Sequence, residues 1–486
     1  MSRAAERKTL FCWINDKFPY TTCFNRKTEE KGIVMTRSER PDMGNDPVGR
    51  LLWKFALPAV VGLMINASYN LVDRVFIGNG VGSAGLAGVA VSFPTAILQM
   101  AFGLMIGIGG SVNFAISLGQ GKVPRAERFF TGAVEIIVLT AIVFCAAHMI
   151  FLKPLLRLYG ATPTIMPYAE TYLKITLCGS VFMMTNMTLN NFIRASGFPH
   201  IAMFTMLIGA VANTILDALF IFVFRWGIAG AAYATVAAQA ASFCWALSFF
   251  LSSKAPYRFR AKYVKVSVKM VSAICFVGTA PFMIQLANGL MQTIINNSLA
   301  LYGGDAAVSA MGATIAVTVL LSMPVIGLCE GSQPVVSFNL GAQNYGRVLK
   351  VYRTNIAVST LFFIVSCAIL QLFAPQIIRI FNKGDAELIR IGTHSLKIIG
   401  AMYPLVGLSV ATTFFLQAVR SPRMAAFLAL SRQLLFVIPG IVLLGRRIGL
   451  NGVFYAFPLA DFLGCLVSIP VAVHLFKKYG ALHRSR

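Results

Sequence analysis

Acidic side chains in apolar surroundings are the residues of this sequence best suited to chemistry. Asn66, Asn70 and Asp73 follow one another at spacings of four and three residues, which places the three side chains on one face of a helix. An ionisable group in a membrane helix costs about 2.5–3.5 kcal/mol, so its presence requires a reason. These three side chains predict a site that couples cation entry to transport. The alternative is a carboxylate near the helix end that pairs with Arg74.

A second acid, Asp217, lies within the apolar run 210–224, with Asn213 one turn earlier on the same helix face. Because burial disfavours a charged carboxylate, this side chain could bind a proton in one state of the protein and release it in another. The alternative is a neutral Asp that hydrogen-bonds a neighbouring helix. Asp73, Asn213 and Asp217 also form an oxygen-rich set suited to Na⁺, and the sequence does not separate Na⁺ from H⁺.

A neutral polar stripe occupies the second half of the chain, at spacings of three, four and four residues: Gln285, Asn288, Gln292 and Asn296. We expect this stripe to line a substrate path. Glu330, four residues before Pro334, is expected to attract a cation in the same cavity, since a proline break frees backbone carbonyls beside it. The alternative is that Glu330 binds an amide of the stripe.

The chain that carries these residues is strongly apolar. Of its 486 residues, 57% are hydrophobic and only 12% are charged, about half the charged fraction of a soluble globular chain. A soluble enzyme is therefore excluded. The net charge of +25 would suggest nucleic acid as a partner of a soluble protein, but seven of the 17 acids precede position 51, and the body of the chain is nearly free of them.

Twelve apolar runs have the length of transmembrane helices. They span 51–73, 85–118, 127–151, 165–193, 199–224, 228–252, 270–300, 305–340, 348–373, 386–418, 423–444 and 449–476. Runs such as 136–147 are apolar on all sides, whereas barrel strands alternate. The sequence thus predicts an all-α polytopic membrane protein. Seven of the nine cysteines fall inside these runs without CxxC spacing, so neither a disulfide framework nor a zinc site is expected.

Basic residues predict the orientation of the chain. With the N-terminus inside, the inner loops and tail carry 19 Lys and Arg and the outer loops eight, which places both termini in the cytoplasm of a cell (inner or plasma) membrane. The excess charge then reports topology and anionic lipid, with no nucleic acid. Residues 1–48 are predicted to be a disordered extension, and Met1, Met35 and Met43 remain alternative start sites.

The sequence is duplicated at an offset of 222–223. Landmarks that recur include Gly227-Ile-Ala-Gly230 with Gly449-Leu-Asn-Gly452, and Pro58 with Pro281. We expect two parallel six-helix lobes related by a pseudo-two-fold axis: an N-lobe (49–252) and a C-lobe (270–478), with a basic linker (253–269) and a tail (479–486). In transporters built this way the substrate path lies between the repeats.

Three motifs resemble the multidrug and toxic compound extrusion (MATE) family, in the bacterial branch related to the DNA-damage-inducible transporter. The segment 70–78 is similar to the family's first-helix motif, although Arg74 stands where the family usually has Thr. Asn213 to Asp217 resembles the fifth-helix motif, and Gly331 to Ala342 resembles the eighth-helix signature. The resemblance covers about 43–480.

The resemblance implies a two-lobed, V-shaped twelve-helix exporter that couples cation entry to efflux of amphipathic organic cations. Family members use acids of the first and fifth helices in coupling, which match Asp73 and Asp217. Another branch carries an acid in the seventh helix that is absent here. We expect H⁺ rather than Na⁺ coupling, a hinge at Pro58, a monomer, and no cofactor.

Two other functions remain as alternatives. A lipid-linked oligosaccharide or polysaccharide flippase would carry more cationic side chains for phosphate, and the basics within the runs are chiefly Lys174 and Lys397. A membrane-embedded transferase would need clustered catalytic groups such as His with an acid at one membrane face, and the five His residues show no such spacing. An antiporter is therefore favoured over an enzyme.

Overall fold

The computed structural model describes residues 41–252, 255–260, 263, 267–381 and 386–485, except for the Asp305 side chain. Nearly all of them are helical. The long helices are α1 (Val48–Gly80), α2 (Ser83–Gly119), α3 (Val123–Ile150), α4 (Met166–Cys178 and Ser180–Ala195), α5 (Pro199–Val223), α6 (Gly227–Leu251), α7 (Val268–Gly304), α8 (Ala306–Gly341), α9 (Tyr345–Phe381), α10 (Ala386–Gly400 and Tyr403–Ala418), α11 (Pro422–Ile448) and α12 (Leu450–Arg484). The predictions for residues 1–40, and for part of the basic linker, fall outside the described residues.

Ten of these helices are individually long and apolar enough to cross a membrane, and α10 is an eleventh if its two segments, bent by 57°, are one span. The twelfth, α4, is interrupted at Gly179 and carries Glu170 and Lys174, which lowers its hydropathy. The described residues thus form the expected all-α polytopic membrane protein with twelve transmembrane helices in two six-helix lobes. Helix α1 continues seven residues beyond the predicted span, to Gly80, so Asp73 lies inside the helix.

The first helix of each half begins in the other half. Leu51 and Phe55 of α1 are fully buried in a cluster with Val335 of α8 and Tyr352 of α9. Reciprocally, Ile274 of α7 is buried among N-lobe residues. These apolar contacts, at roughly 25 cal/mol per Å² of buried surface, join the lobes near the start of both helices.

Glycines allow the helices of the two lobes to approach closely. A Cβ atom on Gly119 of α2 would overlap the carbonyl oxygen of Phe338 on α8, and one on Gly341 of α8 would overlap that of Ile116. A pair of small residues at a helix crossing permits such backbone contact. Helices α2 and α8 are therefore in direct contact at their C-terminal ends.

The turns between helices preserve the duplication in their backbone conformation. Gly227 and Gly449 have φ of 59° and 61°, as expected for the repeated landmark. The C-lobe also has Arg420 (φ 59°) where the N-lobe has Gly197 (φ 92°). A left-handed conformation costs a residue with a side chain about 1–2 kcal/mol, so the turn geometry persists even where glycine is not present.

Residues 41–47, which were predicted to belong to a disordered extension, are ordered. Asn339 of α8 donates to the Met43 carbonyl at 2.8 Å, and Arg347 of α9 donates to the carbonyls of Met43 and Asp46 at 3.2 and 2.6 Å. The sequence analysis missed this because the segment has no apolar run. The C-terminal end of α12 also lies at this turn, since His483 packs beside Gly346. We call this side of the protein the terminal face.

Candidate functional site

Two carboxyl groups meet in the N-lobe, as the sequence analysis proposed. Asp217 of α5 is fully buried and Asp73 of α1 is half-buried, and their side chains lie within hydrogen-bonding reach of each other. Both Asp217 oxygens and Asp73 Oδ1 are nevertheless buried without a donor. Two ionised carboxylates have no hydrogen to share, so the pair is complete only when it binds a proton or a cation.

The sequence analysis missed three hydroxyl groups in the neighbourhood of this site. Tyr69 of α1 and Tyr172 of α4 lie near both acids, and Tyr172 lies near Thr235 of α6. Tyr69 stands directly before Asn70 in the polar stripe, which was a usable signal. Tyr172 and Thr235 offered none, because their place depends on how α4 and α6 pack. The site is therefore walled by four helices of one lobe.

The three predicted Asn residues have different environments. Asn213 is buried and its Oδ1 has no donor, so it presents an acceptor on the same helix face as Asp217. Asn70 donates to the Asn66 carbonyl at 2.6 Å, and both side chains are exposed. Among the described residues neither Asn66 nor Asn70 forms a hydrogen bond to a carboxyl group. The structure thus brings Asn213 to the acids and leaves the other two on the α1 surface.

The side chains available as ligands limit which metal ion the site could bind. In the described part of the chain, no three His, Cys, Asp or Glu side chains are close enough to hold a metal ion. Asp73, Asp217 and Asn213 supply buried oxygens without donors, which suit a hard cation such as Na⁺. Since Na⁺ prefers more ligands than these, it would also need hydroxyl or water oxygens. The residues fit a proton without any additional group.

The neutral stripe of α7 forms a ladder on one helix face, as its spacing predicts. Asn288 donates to Gln285 Oε1 at 3.2 Å, and Gln292 donates to Asn296 Oδ1 at 2.9 Å. Gln433 of α11 donates to Asn288 Oδ1 at 2.6 Å, which the sequence did not indicate. The part of the stripe at Asn288 therefore faces α11 in the C-lobe interior, while Asn296 is exposed.

Glu330 does not lie free in a cavity. Its Oε2 accepts from Arg194 Nη1 of α4 at 2.9 Å, and Arg194 also donates to Asn191 Oδ1 at 3.0 Å. The two charged side chains are only 8% (Arg194) and 17% (Glu330) exposed. Glu330 was expected to attract a substrate cation, but it forms an ion pair between the lobes instead. In the described part of the chain no amide of the stripe forms a hydrogen bond with it.

Pro58 is buried inside α1, which runs through it from Val48 to Gly80 without interruption. A proline removes one backbone hydrogen bond and weakens a helix locally, so the position is compatible with the predicted hinge. Two glycines of α8, Gly327 and Gly331, pack against this stretch of α1, at Val60 and Phe55. Bending of α1 at Pro58 would therefore alter a contact between the lobes.

Arg432 is a further basic residue within the predicted runs, in addition to Lys174 and Lys397. It lies in the middle of α11, and its Nε donates to Asp461 Oδ1 of α12 at 2.6 Å. Lys174 pairs with Glu170 at 2.7 Å and is half exposed. The charged interior of the described residues thus includes two acids in the N-lobe, the Arg432–Asp461 pair in the C-lobe and the Arg194–Glu330 pair between the lobes.

Comparisons with known proteins agree with this architecture. The sequence model of the MatE family matches the chain twice, at residues 58–219 and 281–443, once in each lobe. The multidrug export protein MepA of Staphylococcus aureus (strain NCTC 8325 / PS 47) is 24% identical over 431 residues, covering 89% of this chain and 94% of its own length. MepA of Staphylococcus haemolyticus (strain JCSC1435) is 24% identical over 412 residues, covering 85% and 90%.

A solved structure has the same fold. It is the outward-facing conformation of a multidrug resistance MATE family transporter of the MOP superfamily, with a TM-score of 0.85 and 20% identity, over 91% of this chain and 98% of its own. The two family matches together span most of the chain, and each contains one helix bundle. The protein is therefore a transporter rather than an enzyme, and it belongs to the MatE (multidrug and toxic compound extrusion) family.

Proposed function

We propose that this protein is a multidrug antiporter that couples H⁺ entry, in preference to Na⁺ entry, to the export of amphipathic cationic compounds. The family match and the MepA relatives, which are named multidrug export proteins, support the efflux of small organic molecules. Coupling is supported by one observation above all: the paired Asp73 and Asp217 carboxyl groups, whose buried oxygens lack donors.

A single proton fits the acid pair better than Na⁺ does. A proton between the two carboxyl groups supplies the missing donor at once, whereas Na⁺ needs several more oxygens at defined distances. Among the described residues no ion pair joins a basic side chain to either acid, and the neighbouring Arg74 lies over the Phe93 ring at 5.8 Å from its centroid. Asn213, Tyr69 and Tyr172 are neutral polar groups near the pair, so they do not neutralise its charge.

The arrangement of the lobes supports alternating access as the transport mechanism. The lobes meet near the terminal face through the glycine contacts of α2 with α8 and through the Arg194–Glu330 pair. Binding of a cation at Asp73 would change the charge on α1 and favour bending near Pro58. Those contacts would then open. Substrate would pass along the neutral stripe, and a membrane potential adds about 2.3 kcal/mol per charge per 100 mV to cation entry.

The distribution of charge supports the proposed placement in the cell membrane. The excess of Lys and Arg in the loops of the terminal face supports a cytoplasmic location for both termini in the cell membrane. Substrate would then leave the cytoplasm as protons enter. We propose that the protein carries out this cycle as a monomer and without a cofactor.

The test is efflux from proteoliposomes with separate pH and Na⁺ gradients. Asp217→Asn should abolish uptake of ethidium driven by a pH gradient, and wild type should not respond to Na⁺ alone. Glu170→Gln is the control, because Glu170 is an acid of the same lobe that already pairs with Lys174. Full pH-driven transport by Asp217→Asn would refute the coupling role, and transport driven only by Na⁺ would refute the choice of ion.

A further inference from the structure

The C-lobe holds a charge pair that the efflux cycle described above does not use. Helix α11 leaves regular α geometry over a π-helical turn, Ser431–Val437, and such turns recur at functional sites. Arg432 lies in this turn and donates to Asp461 at 2.6 Å. The Asp461 side chain is 1% exposed, whereas that of Arg432 remains 32% exposed. The positive member of the pair is thus the accessible one.

The surroundings of Arg432 place it inside the lobe. Its carboxylate partner is on α12, and Tyr403 of α10 lies near both charges. The Tyr403 phenol in turn lies beside the hydroxyls of Thr318 and Ser322 on α8. An arginine with polar neighbours on α12 and α10 is costly to expose to lipid, so its accessible third is best placed toward an aqueous space between the helices.

The donor inventory of Arg432 leaves room for a ligand. A guanidinium has five N–H donors in a planar fork, and in the described part of the chain only Nε has an acceptor. The four Nη donors match a carboxylate, which such a fork binds in bidentate geometry. Asp461 Oδ2 is buried without a donor. Asp461 thus fixes Arg432 through one oxygen and leaves the outer edge of the fork unused.

The polar side chains beside Arg432 extend the same cavity wall. Gln433, the next residue of the π-helical turn, donates to Asn288 at 2.6 Å, and its Oε1 is buried without a donor. The C-lobe wall therefore offers a positive fork next to neutral amides, whereas the N-lobe offers two carboxyl groups. A molecule with separated opposite charges complements both walls.

We infer that the C-lobe cavity binds the carboxylate of zwitterionic amphipathic substrates through the Arg432 guanidinium, with Asp461 holding that guanidinium in position. The inference rests on the proposed efflux function and deepens it, because it adds carboxylate-bearing zwitterions to the expected cationic compounds.

The test compares two dyes that differ in one ester. Rhodamine 110 carries a cationic ring system and a free carboxylate, and rhodamine 123 is its methyl ester and only cationic. Binding of each to the purified full-length protein is measured by fluorescence polarisation. Arg432→Gln should raise the Kd ratio of rhodamine 110 to rhodamine 123 about tenfold, which corresponds to one charge-assisted hydrogen bond. Arg390→Gln, an exposed arginine of the same lobe, should leave the ratio unchanged.

Asp461 variants separate a binding role from a structural one. Asp461→Asn keeps the guanidinium and should preserve the preference for rhodamine 110, whereas the double variant Arg432→Gln/Asp461→Asn should lose it. The double variant also has no unpaired buried charge, so it decides the matter if Arg432→Gln does not fold. An unchanged dye ratio in the double variant, or the same change in Asp461→Asn as in Arg432→Gln, would overturn the inference. Failure of wild type to bind either dye would instead overturn the proposed function.

Discussion

Glu330→Gln should weaken the closed contact between the lobes at the terminal face. The change removes the charge that faces Arg194 but keeps the size of the side chain. The Nη1–Oε2 distance is 2.9 Å, and the side chains are 8% (Arg194) and 17% (Glu330) exposed. Removal of one partner of a fully buried pair costs about 3–5 kcal/mol. Because Glu330 retains some solvent and Arg194 keeps Asn191 as an acceptor, we expect about 2 kcal/mol.

This cost acts on a conformational equilibrium, since the two residues are on different lobes. A change of about 2 kcal/mol corresponds to roughly thirtyfold in an equilibrium constant. A closed state favoured by about 100 to 1 would fall to about 3 to 1. The open population would then rise from about one per cent to about a quarter of the molecules, which is well within the range of distance measurements.

The assay is electron–electron distance spectroscopy on the protein in lipid. Spin labels are attached to cysteines at the exposed positions Lys122 and Asn344, in the turns after α2 and α8, in a background without the native cysteines. Glu330→Gln should add a population with a longer distance between the labels. The double variant Arg194→Glu/Glu330→Arg, which restores an ion pair with exchanged charges, should show a smaller long-distance population than Glu330→Gln.

The matched control for this experiment is Glu127→Gln. Glu127 accepts from Arg260 at 3.1 Å, which is an ion pair between α3 and the linker and not between the lobes. The control should leave the distance distribution unchanged. A distribution in Glu330→Gln that is identical to wild type would refute the reasoning that the Arg194–Glu330 pair stabilises the closed terminal face.

Two further predictions concern the same face. Gly119→Ala should separate α2 from α8 and reduce transport severely, because the new methyl group would overlap the Phe338 carbonyl oxygen. Gly49→Ala, at an open helical position, should leave stability unchanged or raise it by up to about 1 kcal/mol. Melting of both variants in detergent measures their stability. Arg347→Ala should speed hydrogen exchange of residues 41–47, because it removes charge-assisted bonds to the Met43 and Asp46 carbonyls worth about 1.5–3 kcal/mol each. The exposed Lys350→Ala should not, and equal exchange rates in both variants would contradict the role of Arg347.

Much of the candidate site was predictable from local patterns. A carboxylate in a long apolar run is costly, and this rule alone identified Asp217, whose burial is complete. Helical spacing placed Asn213 on the same helix face as Asp217. It also made Gln285 and Asn288 neighbours, and the two side chains form a hydrogen bond. These features depend on residues three or four positions apart, and helix geometry determines them before any packing occurs.

Partners from distant segments were not predictable. Glu330 looked like a free acid because its partner, Arg194, is 136 positions away. Tyr172 and Thr235 have no special spacing, and the sequence does not show that Arg432 pairs with Asp461, which is 29 positions away. In each case the environment of a side chain is created by another helix.

The sequence by itself determined that this protein is an all-α membrane protein, that it consists of two duplicated six-helix lobes, and that a few acidic residues lie within its apolar runs. Hydrophobic runs, charge asymmetry and repeat offset are properties of the chain, and the bilayer enforces them whatever the packing. Tertiary structure decided which charges neutralise each other. It paired Glu330 with Arg194 and Asp461 with Arg432, and it left Asp73 and Asp217 facing each other without a donor, because electrostatic partnership depends on distance in space and not on distance along the chain.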